Sequence, residues 1–480
     1  MNVVSEQNIL KVLTAFNPWW RTGNLRAEFK KRFKRFAFYE AQSIFLHESI
    51  RRTVFLTGIR RVGKTTIQYQ LIDKLLEGGV NPFRIVYVSF DHPLLKLCMP
   101  GEILEIYHSN MYPDEDCFYF FDEVQYAADW DKWVKIIYDT RPNSRMVATG
   151  SSSPVLRKKA VESGVGRVTV LQVPTLSFFE YCELSGIENP VLDAKSLPSA
   201  LVELKKSDLS IVMVKLAGIQ KHFHRFLLVG GFPELALSSD DFWSQSVCRE
   251  DIVDKVLKND IPALYNIRNS SELERIFLYL CYYSSNIISI DALSKQLNGV
   301  SRSTVNDYID YMESAGLIYR SYPDSMGGKK ILKAKSKIYI ADATIRNAVL
   351  MDGDLLVNQE QMGITVETTV YKHVKACYCQ SAARVGYYRG AHTGNEIDIV
   401  VDFTGGKNLI EVKYRENASI DKNDAIFNMA CHAKSAIVVT KQAHDFGAQP
   451  SAGSKQILRI PAFAFLYLLG YAEKHGLRVI

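Results

Sequence analysis

The sequence predicts an α/β protein of several domains: an open parallel sheet near the N-terminus, a helical middle, and a second α/β unit toward the C-terminus. Three observations predict it. A β-rich run, TVFLT at 53–57, passes into a glycine loop and then into residues at helical spacing. A wholly apolar run, CFYFF, ends in the paired carboxylates Asp122 and Glu123. After Met351 the pattern reads helix, three strands, helix and strand.

At 480 residues the chain exceeds the roughly 250 to 300 at which single cores stop growing, so three or four domains are expected. Its 47% hydrophobic and 23% charged residues match an ordinary folded protein and argue against disorder. The longest apolar run, Pro461 to Tyr471, is shorter than the roughly 20 residues that span a bilayer, and no secretory pattern opens the chain. A cytoplasmic protein with no membrane partner is therefore expected. Eight scattered cysteines form no CxxC ladder and read as reduced thiols, while His222 and His224 read as ordinary histidines.

The net charge of +6 is unevenly placed. Seven Lys or Arg against one Glu lie between Arg21 and Phe36, and six against one Asp between Arg320 and Lys337. Such concentrations attract polyanions, unless they are merely solvated faces.

The loop GIRRVGKTT between the first strand and its helix carries the GxxxxGKT pattern. Glycines let backbone N–H groups close around phosphates, and the helix N-terminus adds positive potential. Gly58, Arg60, Arg61, Val62, Gly63, Lys64, Thr65 and Thr66 are thus the expected ATP-binding residues. Lys64 is expected to reach the β and γ phosphates and the Thr65 hydroxyl to bind Mg2+. At the end of the buried strand, Asp122 is expected to hold the magnesium and Glu123 to polarise the attacking water. Another strand, Met146 to Thr149, runs into Gly150 and Ser151, where a polar side chain can sense the γ phosphate or simply form a turn. RIVYVSFDHP reads as a further buried strand with Asp91 past its end. Strands alternating with helices argue for an open parallel sheet with nucleotide at the strands' carboxyl ends.

From Ser271 the pattern changes to three helices, SELERIFLYLCYYS, IDALSKQLN and SRSTVNDYIDYMESAGLI. In the third, Val305, Tyr308, Ile309 and Met312 form one apolar stripe, leaving Arg302, Ser303 and Asn306 exposed near its start. This is a helix-turn-helix layout, and the following Gly-Gly-Lys-Lys turn, with Lys329 and Lys330, and lysine-rich strand suit a wing. These five residues are candidates for nucleic-acid contact; a protein-packing module is the alternative.

The C-terminal order, helix GITVETTVYKHVKAC, strands ARVGYYR, EIDIVVDF and LIEVKY, helix DKNDAIFNMACHA and strand SAIVVT, matches a restriction-endonuclease-like core. A period of two sets Glu411 and Lys413 on one face, beside Asp398 on the neighbouring strand. Asp398 and Glu411, with Glu367 as a further ligand, are expected to share Mg2+ or Mn2+ that activates water, with Lys413 beside the nucleophile or leaving charge. Charges solvated on a sheet rim are the alternative.

Taken together, NPWW at 17–20, TGIRRVGKTT, VSFDHP, FFDEVQ, ATGSSS, VPTLSFFEY, GGFPE and the C-terminal Glu-Ile-Asp and Glu-Val-Lys steps resemble the prokaryotic AAA-type ATPases that carry a winged-helix region and a PD-(D/E)xK nuclease-like domain. The resemblance implies a P-loop AAA-type parallel sheet with a helical lid, a winged helix-turn-helix and a C-terminal restriction-endonuclease-like α/β domain. It divides the chain into the ATPase core at 1–174, the lid at 175–250, the winged-helix region at 251–345 and the nuclease-like domain at 346–480. It also implies that Arg167, in the Gly166-Arg167 step, contacts nucleotide in its own or a neighbouring subunit of a homo-oligomer; a surface arginine is the alternative. The function expected is an ATP-driven switch that engages nucleic acid, DNA above all, and controls a metal-dependent nuclease, in a setting such as genome defence. The rival is a signalling or scaffold protein whose C-terminal domain binds a partner and cuts nothing.

Overall fold

The computed structural model describes residues 4–113, 116–150, 166–190, 192, 206–267, 269–297, 300–324, 335–379, 381–390 and 395–476. The chain divides into two compact units, Met1–Pro174 and Thr175–Ile480. Among the described residues no helix is long and apolar enough to cross a membrane.

Five parallel strands build the first unit: β1 (Thr53–Thr57), β2 (Ile85–Ser89), β3 (Phe118–Asp122), β4 (Arg145–Gly150) and β5 (Val168–Gln172), in the order β2-β3-β4-β1-β5. β1 and β2 are buried at every position, as strands covered on both faces must be. The register sets Ser89 beside Asp122 and Thr57 beside Gly150, so the polar carboxyl ends finish along one edge. Helix α1 (Lys64–Glu77) leaves that edge and buries Ile67, Leu71, Ile72 and Leu75.

The NPWW motif closes the free side of β2. Asn17 Oδ1 accepts from the Tyr87 amide at 2.7 Å and its Nδ2 donates to the Tyr87 carbonyl at 2.8 Å, pairing as a strand would. The Trp19 and Trp20 indoles both donate to the Ile85 carbonyl, at 3.0 and 2.9 Å. An exposed edge that would otherwise invite another chain is thereby covered. The basic stretch after it is not uniformly superficial. Arg21, Arg26, Lys30, Lys31 and Arg32 are exposed, but Arg35 is buried and its Nη1 donates to the Val62 carbonyl at 2.8 Å. Its charge supports a buried loop oxygen rather than a surface patch.

The second unit contains the remaining segments. Helix α2 (Phe178–Leu184) starts with a capping box between Ser177 and Glu180. Phe179 on α2 meets Tyr467 of the apolar C-terminal helix with ring centroids 5.0 Å apart. The segment 175–250, expected as a lid, thus has described packing partners toward the C-terminus.

Helices α3 (Ser271–Tyr282), α4 (Ile290–Gln296) and α5 (Arg302–Ser314) accompany a small antiparallel sheet of β6 (Asn286–Ile287), β7 (Ile318–Ser321) and β8 (Lys337–Ile340), in the order β6-β8-β7. Val305, Tyr308, Ile309 and Met312 are buried on α5, while Arg302, Ser303 and Asn306 are exposed. Lys329 and Lys330 lie outside the described residues. The second basic stretch is corrected in part. Lys337 is only 2% exposed, and Arg320 pairs with Asp310 and Glu313 at 2.6 and 2.5 Å. Both spend their charge inside the unit.

Helix α6 (Gln359–Cys377) precedes a six-stranded mixed sheet, β13-β14-β12-β11-β10-β9. Its strands are β9 (Arg384–Arg389), β10 (Glu396–Phe403), β11 (Gly406–Lys413), β12 (Ser435–Thr440), β13 (Gly447–Pro450) and β14 (Gln456–Pro461), and helix α7 (Ala462–Lys474) follows. Ile397, Val400, Leu409, Ile426, Val438 and Ile457 form the core beneath it. The helix expected over DKNDAIFNMACHA is confined to Ala425–Met429 and a 3-10 turn. Asp421 accepts from the Asn423 amide at 2.7 Å, a side-chain turn that competes with helix. Beyond β7 the chain pairs with edge strand β9: the Tyr387 amide donates to the Tyr322 carbonyl at 3.1 Å and the Asp324 amide to the Tyr387 carbonyl at 2.8 Å.

Buried His373 on α6 gives this unit a pH dependence. Its Nε2 accepts from the Phe178 amide at 2.9 Å, so Nδ1–H faces the Thr369 carbonyl at 2.8 Å. Burial, with Lys372 adjacent, pushes its pKa down to about 3 from 6.5. The unfolded chain therefore takes up the proton first as pH falls. The stability contributed by neutral His373 is complete above pH 6.5 and declines by up to about 1.4 kcal/mol per pH unit below it. Urea unfolding of wild type and His373→Gln between pH 7 and 4 is expected to show a flatter decline in the variant; parallel curves would refute it.

Candidate functional site

Local chain geometry builds the first centre. Gly63 has φ 99°, in the left-handed region that favours glycine, and it turns the loop into α1. Lys64 is buried, and its Nζ donates to the Gly58 and Ile59 carbonyls at 2.8 and 3.2 Å, so the ammonium lies over the loop. Arg60 Nη2 donates to the Tyr126 hydroxyl at 3.2 Å. Val62 is buried, Thr66 half-buried, and Arg61 exposed with φ 64°.

From α1, the Thr65 hydroxyl donates to Asp122 Oδ2 at 2.9 Å, and the Tyr87 hydroxyl donates to the same oxygen at 2.8 Å. The Thr149 hydroxyl donates to Asp122 Oδ1 and accepts from the Glu123 amide at 3.0 Å. Burial raises the Asp122 pKa, with Glu123 adding to the rise, and the hydrogen bonds from Thr149, Tyr87 and Thr65 oppose it. Glu123 itself is left-handed at φ 53°, and Gln125 Nε2 donates to its Oε2. Thus the carboxylate past the strand end is aimed by backbone and side chain together.

Thr65 Oγ1 and Asp122 Oδ2 form an oxygen pair of the kind a hard divalent ion takes, so these residues fit Mg2+. When bound, that ion supplies neutralising charge to the phosphates. The chain's own contribution is the loop amides, the Lys64 ammonium, and a Glu123 carboxylate able to accept a proton from water.

Two partners of this centre, Tyr87 and Thr149, escape sequence reasoning, because only the register of separate strands brings their hydroxyls to Asp122. Ser151, expected as the γ-phosphate sensor, lies outside the described residues. Arg167 does not reach its own phosphate loop. Its carbonyl accepts from the Thr53 amide at the amino end of β1, roughly 13 Å of strand from Thr57. Its Nε donates to Asp139 Oδ1 at 2.8 Å. Parallel pairing puts it at the opposite end of the sheet, so contact within its own subunit is excluded.

A second centre lies on β10, β11 and α6. The register pairing Ile399 with Ile410 sets Asp398 opposite Glu411, and an irregularity between Ile397 and Val400 falls at Asp398. Lys337 of β8 enters among these acids. Its Nζ lies 2.8 Å from Glu367, 2.6 Å from Glu396 and 3.0 Å from Asp398. The Tyr339 hydroxyl donates to Glu367 Oε1 at 3.0 Å, and Asp398 Oδ2 accepts from the Val412 amide at 2.9 Å. Glu411 Oε2 is buried with no hydrogen-bond partner among the described residues. Lys413 turns away, donating to Asp424 Oδ1 at 2.6 Å and the Ser419 carbonyl at 3.2 Å.

Burial opposes the Lys337 charge, yet the pull of Glu367 and Asp398 prevails and raises its pKa well above the ordinary value. Burial and the Asp398 charge push Glu367 up to about 7 and raise Glu411 strongly.

These residues as placed fit an ammonium and not Mg2+ or Mn2+. A divalent ion needs several oxygens at roughly 2.0 to 2.6 Å, and three of the carboxylates already bond Lys337. Among the described residues no group of three or more His, Cys, Asp or Glu is arranged to hold a metal ion. The expected set Glu367, Asp398 and Glu411 converges, but around a lysine that the sequence reading placed in a wing.

Residues 50–182 match the family model described as an AAA domain. This stretch is an AAA-type ATPase domain. Residues 220–355 match a domain of unknown function, DUF8612, and residues 362–463 another, DUF4143. An uncharacterized protein of Methanocaldococcus jannaschii is 26% identical over 364 residues, spanning 75% of this chain and 74% of that protein. An uncharacterized protein of Haemophilus influenzae is 23% identical over 299 residues, 61% of this chain and 67% of that one. Solved structures with a likeness include the Aeropyrum pernix Orc1 protein in complex with DNA, at 12% identity and TM-score 0.28 over 67% of this chain and 93% of that one. Another is AMPPCP-bound DnaA from Aquifex aeolicus, at 14% identity and TM-score 0.25 over 62% and 92%. At TM-scores this low, the two structures decide nothing beyond what the AAA domain itself establishes.

Proposed function

We propose that the chain is a cytoplasmic ATP-driven switch, acting as a homo-oligomer, that engages nucleic acid and controls a C-terminal centre of PD-(D/E)xK type. The observation that carries the reading is the convergence of Lys64, Thr65, Asp122 and Glu123 on one sheet edge, the parts needed to bind and cleave a nucleoside triphosphate. In this reading the four segments 1–174, 175–250, 251–345 and 346–480 are ATPase core, lid, winged-helix region and nuclease-like domain. Exposed Arg302, Ser303 and Asn306 at the start of α5 suit a recognition helix, although Arg302 already pairs with Asp291 at 2.7 Å. Arg167, remote from its own loop, serves a neighbouring subunit.

A second reading has its own support. Lys337 bonded to three acids and Lys413 turned to Asp424 favour a C-terminal domain that binds a partner and cuts nothing. One experiment separates the two: purified wild type and Glu411→Ala, with Mg2+ or Mn2+ and with or without ATP, on single-stranded and duplex DNA and on RNA. Cleavage by wild type and its loss in the variant support the nuclease. Equal inertness of both, and of Lys337→Met, leaves the ATP-dependent scaffold.

A further inference from the structure

Lys337 stands 61 residues from Asp398 in sequence and belongs to a different sheet, yet it is almost wholly buried among that centre's acids. Backbone pairing brings it there. The chain after β7 hydrogen-bonds to β9, the edge strand next to β10, and Lys407 of β11 pairs with Asp324 in the same segment. β8 lies beside β7 and carries Lys337 at its start, with Ser321 opposite it. Tyr339, two residues on, stacks on Tyr371 of α6 at 3.9 Å and donates to Glu367. The lysine is thus fixed by two strands and an aromatic stack. No flexible surface side chain has wandered in.

Two features mark the centre as a cation site rather than an ordinary ion pair. Three carboxylates, those of Glu367, Glu396 and Asp398, bond one ammonium, and Glu411 stands opposite Asp398 beside them. In addition, a buried Glu411 oxygen has no hydrogen-bond partner among the described residues, which is costly unless a cation or donor shares its space.

We infer that Lys337 is the resident cation of this carboxylate centre, held there by docking of the small sheet on β9, and that it keeps divalent metal ions out. An ammonium and a divalent ion compete for the same oxygens, so the two states exclude each other. Removing the lysine, or undocking its sheet, converts the centre into a metal site built from Glu367, Asp398 and Glu411. This rests on the proposed reading of the C-terminal centre, but its readout is metal binding and not cleavage.

The test is a Mn2+ titration of the nucleotide-free full chain, followed by electron paramagnetic resonance. Lys337→Met is expected to gain one Mn2+ per chain, bound at least about tenfold more tightly than any site in wild type. Adding Glu411→Gln to that variant is expected to abolish the gain. Gly386→Val reaches the same end by another route, since a Cβ at Gly386 would lie 2.4 Å from the Tyr322 carbonyl oxygen and must push the docked segment off β9. It keeps Lys337 itself and is expected to show the same Mn2+ gain; it decides the matter if Lys337→Met does not fold. Folded variants that gain no Mn2+ overturn the inference, as does a wild-type Mn2+ site that Glu411→Gln removes. Mn2+ gain without cleavage of any nucleic acid would end the nuclease reading and leave the inference standing.

Discussion

Lys64→Ala is expected to abolish ATP turnover, lowering kcat/KM by a factor on the order of a hundred to a thousand, the range for losing one preorganised donor to developing negative charge. The ammonium is buried in the loop and donates to the neutral carbonyls of Gly58 and Ile59. Entering phosphate oxygens offer it charged acceptors, and charge-assisted bonds are roughly twice as strong as neutral ones. Binding and turnover should therefore fall together. Glu123→Gln should behave otherwise. It leaves the loop, Lys64 and the Thr65–Asp122 pair intact, so nucleotide binding persists while hydrolysis is lost. Phosphate release and fluorescent-nucleotide titration, run on both variants, read the split. Turnover by Lys64→Ala within about threefold of wild type would remove the loop from the chemistry.

Legibility in the sequence followed the distance over which each feature is encoded. The loop and helix α1 were readable because eight successive residues carry the whole geometry, and the strand before Asp122 because an unbroken apolar run has few other uses. Tyr87 and Thr149 were not, since a single hydroxyl within a buried strand has no local signature until strand register brings it to Asp122. Arg167 was read by resemblance, and the direction of β5 then ruled out its own loop. Alternation puts Glu411 and Lys413 on one face of β11, yet it could not give the register that sets Glu411 opposite Asp398, nor say that Lys413 Nζ would find Asp424. Lys337 was the largest miss. A lysine among five other basic residues reads as surface charge, and nothing local reports that its strand docks beside a carboxylate centre far along the chain.

The same limit hides a buried ion pair of the second unit, where Lys372→Met is expected to cost about 3 to 5 kcal/mol. Lys372 Nζ lies 2.9 Å from Asp342 Oδ2, and the two side chains are 1% and 4% exposed. Burial alone would raise the Asp342 pKa, but Lys372 and hydrogen bonds from Thr175, at 2.6 Å, and the Thr344 amide, at 2.8 Å, hold it below the ordinary value. Removing the lysine leaves an ionised carboxylate in a site closed by Gly231, where even a Cβ would come within 2.2 Å of Asp342 Oδ1. Water has little room to replace the lost partner. The cost should come from the stranded charge and not from lost attraction, because buried pairs gain little net energy over apolar replacements. That distinction is measurable. Adding Asp342→Asn to Lys372→Met removes the stranded charge while keeping the shape, so the double variant should be more stable than Lys372→Met alone. Urea unfolding of the four proteins of this cycle gives the coupling energy. A Lys372→Met cost below about 1 kcal/mol, or strict additivity, would mean that the junction of Thr175, Gly231, Asp342 and Lys372 is held by packing and not by charge.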